Sequence, residues 1–356
     1  MAAKPSTYKR LMVHTLTTNF REAVKIETAE MCHPKKGEVC VKNKYVGINA
    51  SDVNMTKGRY FTSGKPPFGV GFEAVGEIVE VGEDVENFKV GQSVTYMNSN
   101  MNTYAEYVCI AVAEVLPVPE ANPGYLTLLV SGLTAGIGLD KAARITAGES
   151  VLITAAAGGT GHIAVQWAKA AECHVIGTCS TEEKEKVLKD LGCDRVINYK
   201  KEDLAEVLAK EYPKGVDVIW ETIGGKVFQD CLKNLALRGR LLVIGGISAY
   251  KDEDRAAMEK RDLSDLPEQL LFKSSSVVGF MLLHFGECFA SYFKYMSESL
   301  EAGKLKCVLD NGEKSTGKEF FGMEGIIRGV EITHKNGHKT KYLQKIDGTK
   351  IDIKFP

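Results

Sequence analysis

The segment richest in chemical information is residues 150–162, which read SVLITAAAGGTGH. An apolar run leads there into a glycine-rich turn and then into a predicted helix. Glycines let backbone N–H groups approach a pyrophosphate, and a helix N-terminus adds the positive end of its dipole. The strand–turn–helix context distinguishes this AxxGGxG variant from an isolated glycine motif. It predicts a dinucleotide site, with a structural turn or a methyltransferase of the same topology as alternatives. The predicted contacts are Ala157, Gly158, Gly159, Thr160 and Gly161.

The end of the next apolar run indicates which dinucleotide binds. NAD sites place an Asp or Glu about 20 residues after the glycine turn, where it binds the ribose 2′-hydroxyl. Residues 177–184 read GTCSTEEK, so the run ends in small residues instead. Ser180 is placed to cap the following helix, with Glu183 completing a capping box. Lys184, one turn in, is placed to reach a 2′-phosphate, and Tyr199 would flank the same phosphate. The sequence therefore favours NADP(H) over NAD(H).

These residues depend on a regular succession of elements to position them. Between residues 151 and 283, near-continuous apolar runs alternate with helical runs in five or six units. That pattern predicts a parallel sheet covered on both faces. Residues 8–120 show short strand-like runs separated by turn residues, which predicts a compact, mostly β domain. The tail from residue 306 is too short for its own core, so we expect it to return to the first domain.

Composition limits the classes of function. The 356 residues correspond to roughly two domains of about 150 residues. Lys and Arg total 45 and Asp and Glu total 46, so the net charge of −1 argues against a general polyanion or nucleic-acid binder. Nine cysteines, with no C-x-x-C pair, favour a reducing compartment over a disulfide framework or a zinc site. We interpret the cysteines as small buried apolar residues.

Targeting signals are weak. The first thirteen residues lack the apolar core of a secretory signal. The uncharged stretch at 125–139 is shorter than the roughly 18 residues that a membrane span requires. We therefore expect no membrane span and a cytoplasmic location, with the peroxisome as the alternative.

Several further motifs, together with the glycine turn, carry a resemblance to a known family. They are VGINASD at 46–52, FEAVGEIV at 72–79, VG at 81–82 and KVG at 89–91. The chain resembles, over nearly its whole length, the zinc-independent medium-chain dehydrogenase/reductases of the quinone oxidoreductase and prostaglandin reductase branch. The resemblance implies an α/β fold with two parts. A Rossmann domain, a doubly wound parallel six-stranded sheet, would span residues 126–286. A GroES-like, mostly β catalytic domain would span 1–125 and 287–356.

Departures from the family pattern imply a metal-free reaction. Phe72 stands where zinc-dependent members carry a histidine ligand, and the catalytic cysteine and four-cysteine zinc loop are absent. Without a Lewis acid, a conjugated enone is easier to reduce than an unactivated carbonyl. Hydride adds at the β-carbon, hydrogen-bond donors stabilise the enolate, and a proton arrives at the α-carbon. The implied activity is NADPH-dependent reduction of enones such as 15-oxo-prostaglandins. Quinone reduction and a non-catalytic NADPH-binding or RNA-associated module are the alternatives.

The resemblance also implies particular site residues and partners. Asn49 would lie by the nicotinamide, and the Tyr60 hydroxyl would donate to the enolate and relay a proton. Tyr96 and Met97 are further candidates for the substrate cleft wall. The later strands add Thr222, Ile244, Tyr250, Phe280, Met281, Leu282 and, despite a departure in spacing, Asn336 as cofactor contacts. The partners would be a small, lipid-like enone and a second copy of the chain, bound through the edge strand at 277–283 to form a twelve-stranded sheet.

Overall fold

The structure, a computed structural model, describes residues 4–60, 65–250, 264–335 and 341–345. These residues form two compact units. The first comprises the chain up to Leu126 together with Leu309–Lys335 and residues 342–345, and the second comprises Thr127–Val308.

The first unit is built on antiparallel strands. They are β1 (Thr7–Val13), β2 (Val24–Glu30), β3 (Glu38–Ile48), β4 (Phe68–Gly69), β5 (Glu73–Val81), β6 (Ser93–Met97), β7 (Tyr107–Ala111) and β8 (Val115–Pro117). One sheet has the order β2-β1-β4; in the other, β3-β5-β6-β8 are neighbours and β7 pairs with β3. Its helices are Phe20–Ala23, Asp52–Thr56, Glu313–Thr316 and Gly322–Lys335. The long strand β3 is buried along most of its length and forms the centre of this unit.

The second unit contains a six-stranded parallel sheet, which confirms the predicted architecture. Its strands are β9 (Ser150–Ile153), β10 (His174–Cys179), β11 (Arg195–Asn198), β12 (Val216–Glu221), β13 (Leu235–Val243) and β14 (Ser276–Gly279). The order is β11-β10-β9-β12-β13-β14. Helices Gly161–Ala170, Glu182–Asp190, Leu204–Glu211, Gly225–Lys233, Leu266–Lys273 and Phe289–Glu301 accompany the strands. The strands are apolar because a parallel sheet is covered on both faces, and Leu152, Ile176, Ile219 and Leu241 are fully buried.

Two boundaries differ from the sequence-based expectation. The edge strand β14 ends at Gly279 rather than continuing to residue 283, because the chain leaves the sheet and forms a short helical turn at Leu282–Cys288. The chain returns to the first unit at Leu309 rather than at 287. Helix Phe289–Glu301 stays with the second unit because Met296 packs closely on helix Gly124–Ala143. A Cβ added to Gly132 or Gly136 of that helix would lie within 3 Å of Met296.

The return segment completes the first unit. Its strands are β15 (Leu309–Asp310) and β16 (Lys341–Lys345), and the second sheet then has the order β15-β16-β3-β5-β6-β8. Within the described ranges, one helix, Gly124–Ala143, is long and apolar enough to cross a membrane by length and composition. Because 78% of its apolar window is buried inside the protein, we interpret it as a core helix.

Candidate nucleotide and substrate sites

The predicted cofactor residues follow the carboxyl ends of the six parallel strands. Ala157–Gly161 follow β9, Ser180 and Lys184 follow β10, Tyr199 follows β11, Thr222 follows β12, Ile244 and Tyr250 follow β13, and Phe280–Leu282 follow β14. Parallel strands end at the same edge of a sheet, and ligands bind where the strand order reverses. Here the order reverses between β9 and β12, so the glycine turn lies at that switch point. Asn336 lies outside the described residues.

At the glycine turn, the backbone just after β9 lies close to the start of helix Gly161–Ala170. Ala155 adopts a φ of 48°, and its N–H donates to Thr178 Oγ1 at 3.0 Å. A Cβ on Gly161 would lie 2.5 Å from the Ala155 carbonyl oxygen and 2.8 Å from Ala156 Cα. Only glycine therefore allows the helix to begin this close to the strand. The turn fits a pyrophosphate, because the helix that begins at Gly161 directs the positive end of its dipole towards the turn.

His162 anchors this turn, and the sequence analysis gave it no role. Its ring is fully buried, with Nδ1 3.0 Å from the Gly158 carbonyl oxygen. The Val308 N–H donates to Nε2 at 3.2 Å. Because Nε2 accepts, the ring proton must lie on Nδ1, which donates to Gly158. A histidine directly after the last glycine was the available sequence signal, but only the fold shows what it contacts.

A basic corner suited to a 2′-phosphate lies at the ends of β10 and β11. Lys184 Nζ donates to Ser180 Oγ at 3.2 Å. Tyr199 is 49% exposed, and Lys200 Nζ lies 5.6 Å from the centre of its ring. Burial raises the pKa of the neighbouring Cys179 thiol, so this group stays neutral beside an anion. Ammonium and hydroxyl groups are suitable hydrogen-bond donors to a phosphate dianion.

The capping residue of this corner differs from the prediction. The structure assigns the cap to Thr181, whose Oγ1 accepts from the Lys184 N–H at 3.3 Å, rather than to Ser180. The reason is that β10 extends through Cys179, which pairs with Asn198. The helix therefore begins one residue later, at Glu182. The Ser180 hydroxyl accepts from the Lys184 ammonium instead of capping the helix.

The loops after β12 and β13 are joined to the switch point by hydrogen bonds. The Thr222 N–H donates to Thr154 Oγ1 at 2.9 Å, across the gap between β9 and β12. The Ile247 N–H donates to the Thr222 carbonyl oxygen at 3.0 Å. Phe280, next to the end of β14, stacks on Phe285 with ring centroids 4.9 Å apart. These contacts hold the segments that follow β12, β13 and β14 in place at the carboxyl edge of the parallel sheet.

In the first unit, a buried polar network holds Asn49 at the end of β3. Asn49 Nδ2 donates to Glu73 Oε1 at 3.1 Å, and the Asn49 N–H donates to Asp52 Oδ2 at 2.8 Å. Tyr104 donates its hydroxyl to the same Asp52 oxygen at 2.7 Å. Burial and the nearby Asp52 raise the pKa of Tyr104, so it stays a donor. Glu73 and Tyr104, which the sequence analysis did not assign, thus fix the orientation of Asn49.

Tyr60 and Phe72 form an aromatic pair in the same unit. Their rings meet edge to face with centroids 6.5 Å apart, and both residues are half-buried. An apolar ring therefore packs beside the predicted proton donor. Tyr96, in contrast, is fully buried and donates to Asn43 Oδ1 at 2.7 Å. It belongs to the core of the first unit, and its interpretation as a cleft wall was wrong because both faces of β6 are covered there.

Comparison with known proteins agrees with both units. Residues 35–120 match the alcohol dehydrogenase GroES-like domain, and residues 159–299 match the zinc-binding dehydrogenase domain. Prostaglandin reductase-3 of Bos taurus is 44% identical over 357 residues, covering 100% of this chain and 91% of the relative. A probable quinone oxidoreductase of Leishmania amazonensis is 39% identical, covering 97% and 99%. The solved structure of Escherichia coli quinone oxidoreductase complexed with NADPH superposes with a TM-score of 0.81 at 26% identity, covering 95% and 99%.

Proposed function

The chain belongs to the medium-chain dehydrogenase/reductase family of prostaglandin reductases and quinone oxidoreductases, and on that premise we propose that it reduces the carbon–carbon double bond of α,β-unsaturated ketones with NADPH. A 15-oxo-prostaglandin represents the substrate class. The observation that carries the proposal is the full-length similarity to Prostaglandin reductase-3. The Tyr60–Phe72 pair supports it, because Phe72 stands where zinc-dependent members carry a histidine ligand and its ring packs against that of Tyr60.

Different residues of the chain would carry out different parts of the reaction. A bound nicotinamide nucleotide supplies the hydride that adds to the β-carbon of the enone. Glu73 holds the Asn49 amide in one orientation for the nicotinamide. The Tyr60 hydroxyl donates to the substrate carbonyl oxygen as negative charge develops there, which is the usual role of an oxyanion donor. With Phe72 in place of a ligand, stabilisation of the enolate depends on hydrogen-bond donors.

The proposal specifies NADPH rather than NADH. It is supported by the Lys184–Ser180 contact and by the absence of a carboxylate at the end of β10, which would repel a 2′-phosphate. The half-exposed ring of Tyr199 and the ammonium of Lys200 add an aromatic wall and a second positive charge to the same corner.

The proposal also includes a homodimer in the cytoplasm. Among the residues that the structure describes, strand β14 is the last strand of its sheet and pairs with β13 alone. Leu271 and Phe272, on the preceding helix, are 73% and 79% exposed, which leaves an apolar surface for a second copy to cover. The nine cysteines are free thiols in the structure, as suits a reducing compartment.

Enone reduction is tested by following NADPH absorbance with a 15-oxo-prostaglandin, with and without a strong chelator. We expect the same rate of turnover with and without the chelator, and a product that keeps its ketone but lacks the double bond. Reduction of the ketone to an alcohol, or loss of turnover with the chelator, would contradict the proposal.

The alternatives give different results in the same assay. The Leishmania amazonensis relative favours quinone reduction as the second candidate, which predicts turnover with a quinone and none with the enone. A non-catalytic module predicts that NADPH raises the melting temperature without any turnover. If RNA bound, its affinity would fall steeply with salt concentration.

A further inference from the structure

Three cysteine thiols converge in the first unit, away from the candidate active site. The Sγ atoms of Cys32, Cys40 and Cys109 all lie within 4.8 Å of one another, and those of Cys32 and Cys40 are 4.0 Å apart. Cys40 on β3 is directly opposite Cys109 on β7. Cys32 follows β2, where the Met31 N–H donates to the Ser6 carbonyl oxygen. Two neighbouring segments and one segment distant in sequence thus each provide one thiol.

The triangle has the dimensions of a metal site. A metal bonded to thiolates at about 2.3 Å, in the plane of three sulfurs, separates those sulfurs by about 4 Å. The Cys32–Cys40 pair already has this separation. The other pairs lie within 4.8 Å, so movements below about 1 Å complete the arrangement around an ion with such bonds.

The surroundings of the cluster include a cavity and a cationic side chain. A cavity of about 250 Å³ adjoins the cluster, and its lining includes Cys32, Cys109, Arg10, Met12 and Tyr107. Arg10 Nε is buried and has no hydrogen-bond partner among the described residues. The Arg10 guanidinium, which also pairs with Glu27 at 3.3 Å, lines the same cavity as Cys32 and Cys109, and the cavity leaves room for a further ligand.

We propose that Cys32, Cys40 and Cys109 together bind one soft, thiophilic metal ion of the Cu(I), Zn(II) and Cd(II) type in a trigonal thiolate site. Thiolates select such ions over hard cations. Each thiol releases its proton to solvent as its sulfur–metal bond forms, and no atom changes oxidation state. The ion would join the segment after β2 to the β3–β7 pair and so stabilise the first unit, as structural metals do.

The site is separate from the proposed reaction. Cys40 and Asn49 are nine positions apart on β3 and just beyond its end, which corresponds to about 30 Å of extended strand. The proposal therefore stands or fails independently of enone reduction. It also departs from the sequence-based expectation of no metal, because the spacing of the three cysteines resembles no known ligand motif.

The experiment is an anaerobic titration of the reduced full-length chain with Cd(II), followed by the ultraviolet thiolate-to-metal charge-transfer band. We expect one ion per chain with the intensity of three thiolates. Cys32→Ser and Cys109→Ser should each lower the band by a third and weaken binding by at least about 10–100-fold. Cys288→Ser, which alters a half-buried cysteine outside the cluster, is the matched control and should bind as the unaltered chain does.

A second measurement needs no variant. One equivalent of Cd(II) should protect Cys32 and Cys109 from alkylation in the unaltered chain, while Cys288 stays reactive. Equal affinity for Cd(II) in Cys32→Ser and the unaltered chain would overturn the proposal, as would an absence of protection. A Cys32–Cys40 disulfide in air, with no ion retained under reducing conditions, would equally overturn it.

Discussion

At the scale of single residues, we expect Lys184 to decide which nicotinamide nucleotide binds. Its ammonium donates to Ser180 Oγ at 3.2 Å, in the corner where the proposed 2′-phosphate would bind. We expect Lys184→Glu to weaken NADPH binding by about 10–100-fold, since a charge-assisted hydrogen bond contributes about 1.5–3 kcal/mol, and to leave NADH binding nearly unchanged. Both dissociation constants can be measured by calorimetry.

The matched control for this change is Lys186→Glu. Lys186 lies on the same helix and is exposed. Two residues of an α-helix correspond to a rotation of about 200°, so its side chain points away from the corner. Equal losses of NADPH affinity in the two variants would mean that bulk charge, rather than a 2′-phosphate contact, sets the selectivity.

Tyr60 is the residue on which proton delivery depends in the proposed reaction. Tyr60→Phe keeps the ring that packs on Phe72 and removes only the hydroxyl. We expect kcat with the enone to fall by about 10²–10⁴-fold, the usual contribution of a positioned acid, with NADPH affinity unchanged. Tyr212→Phe, whose hydroxyl contacts His174 in the second unit, is the control. An unchanged kcat in Tyr60→Phe would assign the proton to water.

At the scale of elements, two neighbouring residues at the start of helix Glu182–Asp190 should have different roles, one in the stability of the helix and the other in the proposed binding of NADPH. Thr181 caps the helix and Ser180 contacts Lys184. We expect Thr181→Ala to lower the free energy of unfolding by about 1 kcal/mol, the usual cost of a lost cap. Ser180→Ala should instead lower NADPH affinity with little effect on stability. Urea unfolding and NADPH titration of both variants check this. A loss of stability in Ser180→Ala, with none in Thr181→Ala, would show that Ser180 caps the helix.

At the scale of the whole molecule, the partly buried pair of Arg240 and Glu149 joins helix Gly124–Ala143 to the parallel sheet. Arg240 donates to Glu149 at 2.7 and 2.8 Å and to the Ala143 carbonyl oxygen at 2.8 Å. Burial alone would raise the pKa of Glu149, but the hydrogen bonds from Arg240 and the Thr146 N–H lower it below 4.5. A depressed folded-state pKa stabilises the fold above the unfolded value and ceases to do so as pH falls through the folded value.

Glu149→Gln should therefore destabilise the second unit at neutral pH by about 1.5–3 kcal/mol. The difference from the unaltered chain should shrink as pH falls below the ordinary carboxyl pKa of 4.5. Melting temperatures measured across that range check the sign. Glu206→Gln, an exposed change in the same unit, should show neither effect. A difference that persists at low pH would indicate a packing defect rather than a lost charge.

Assembly also belongs to this scale. In a twofold dimer through β14, Phe272 would be covered in both copies. A substitution of Phe272 would therefore remove two buried side chains from the interface. Phe272→Asp should raise the dimer dissociation constant by about 10²–10⁴-fold, since each buried Phe contributes about 1.5–3 kcal/mol. Analytical ultracentrifugation measures this, with Val90→Asp, an exposed loop position, as the control. A monomeric unaltered chain would contradict the dimer.

The amino-acid sequence by itself determined the parallel sheet, the glycine turn and the basic corner at Ser180 and Lys184. Each depends on local periodicity or on residues within one βα unit, where backbone geometry follows from a short stretch of chain. The resemblance added Asn49 and Tyr60, but not Glu73 or Tyr104, which hold Asn49 and its loop in place.

Only the tertiary structure decided the features made by distant segments. The pairing of Cys179 with Asn198 moved the helix cap to Thr181, and the packing of Met296 moved the return of the chain to Leu309. The pairing of β3 with β7 brought Cys40 and Cys109 together although 69 positions separate them. Strand register and side-chain packing are set by the whole buried core, so no local pattern specifies which distant residues meet.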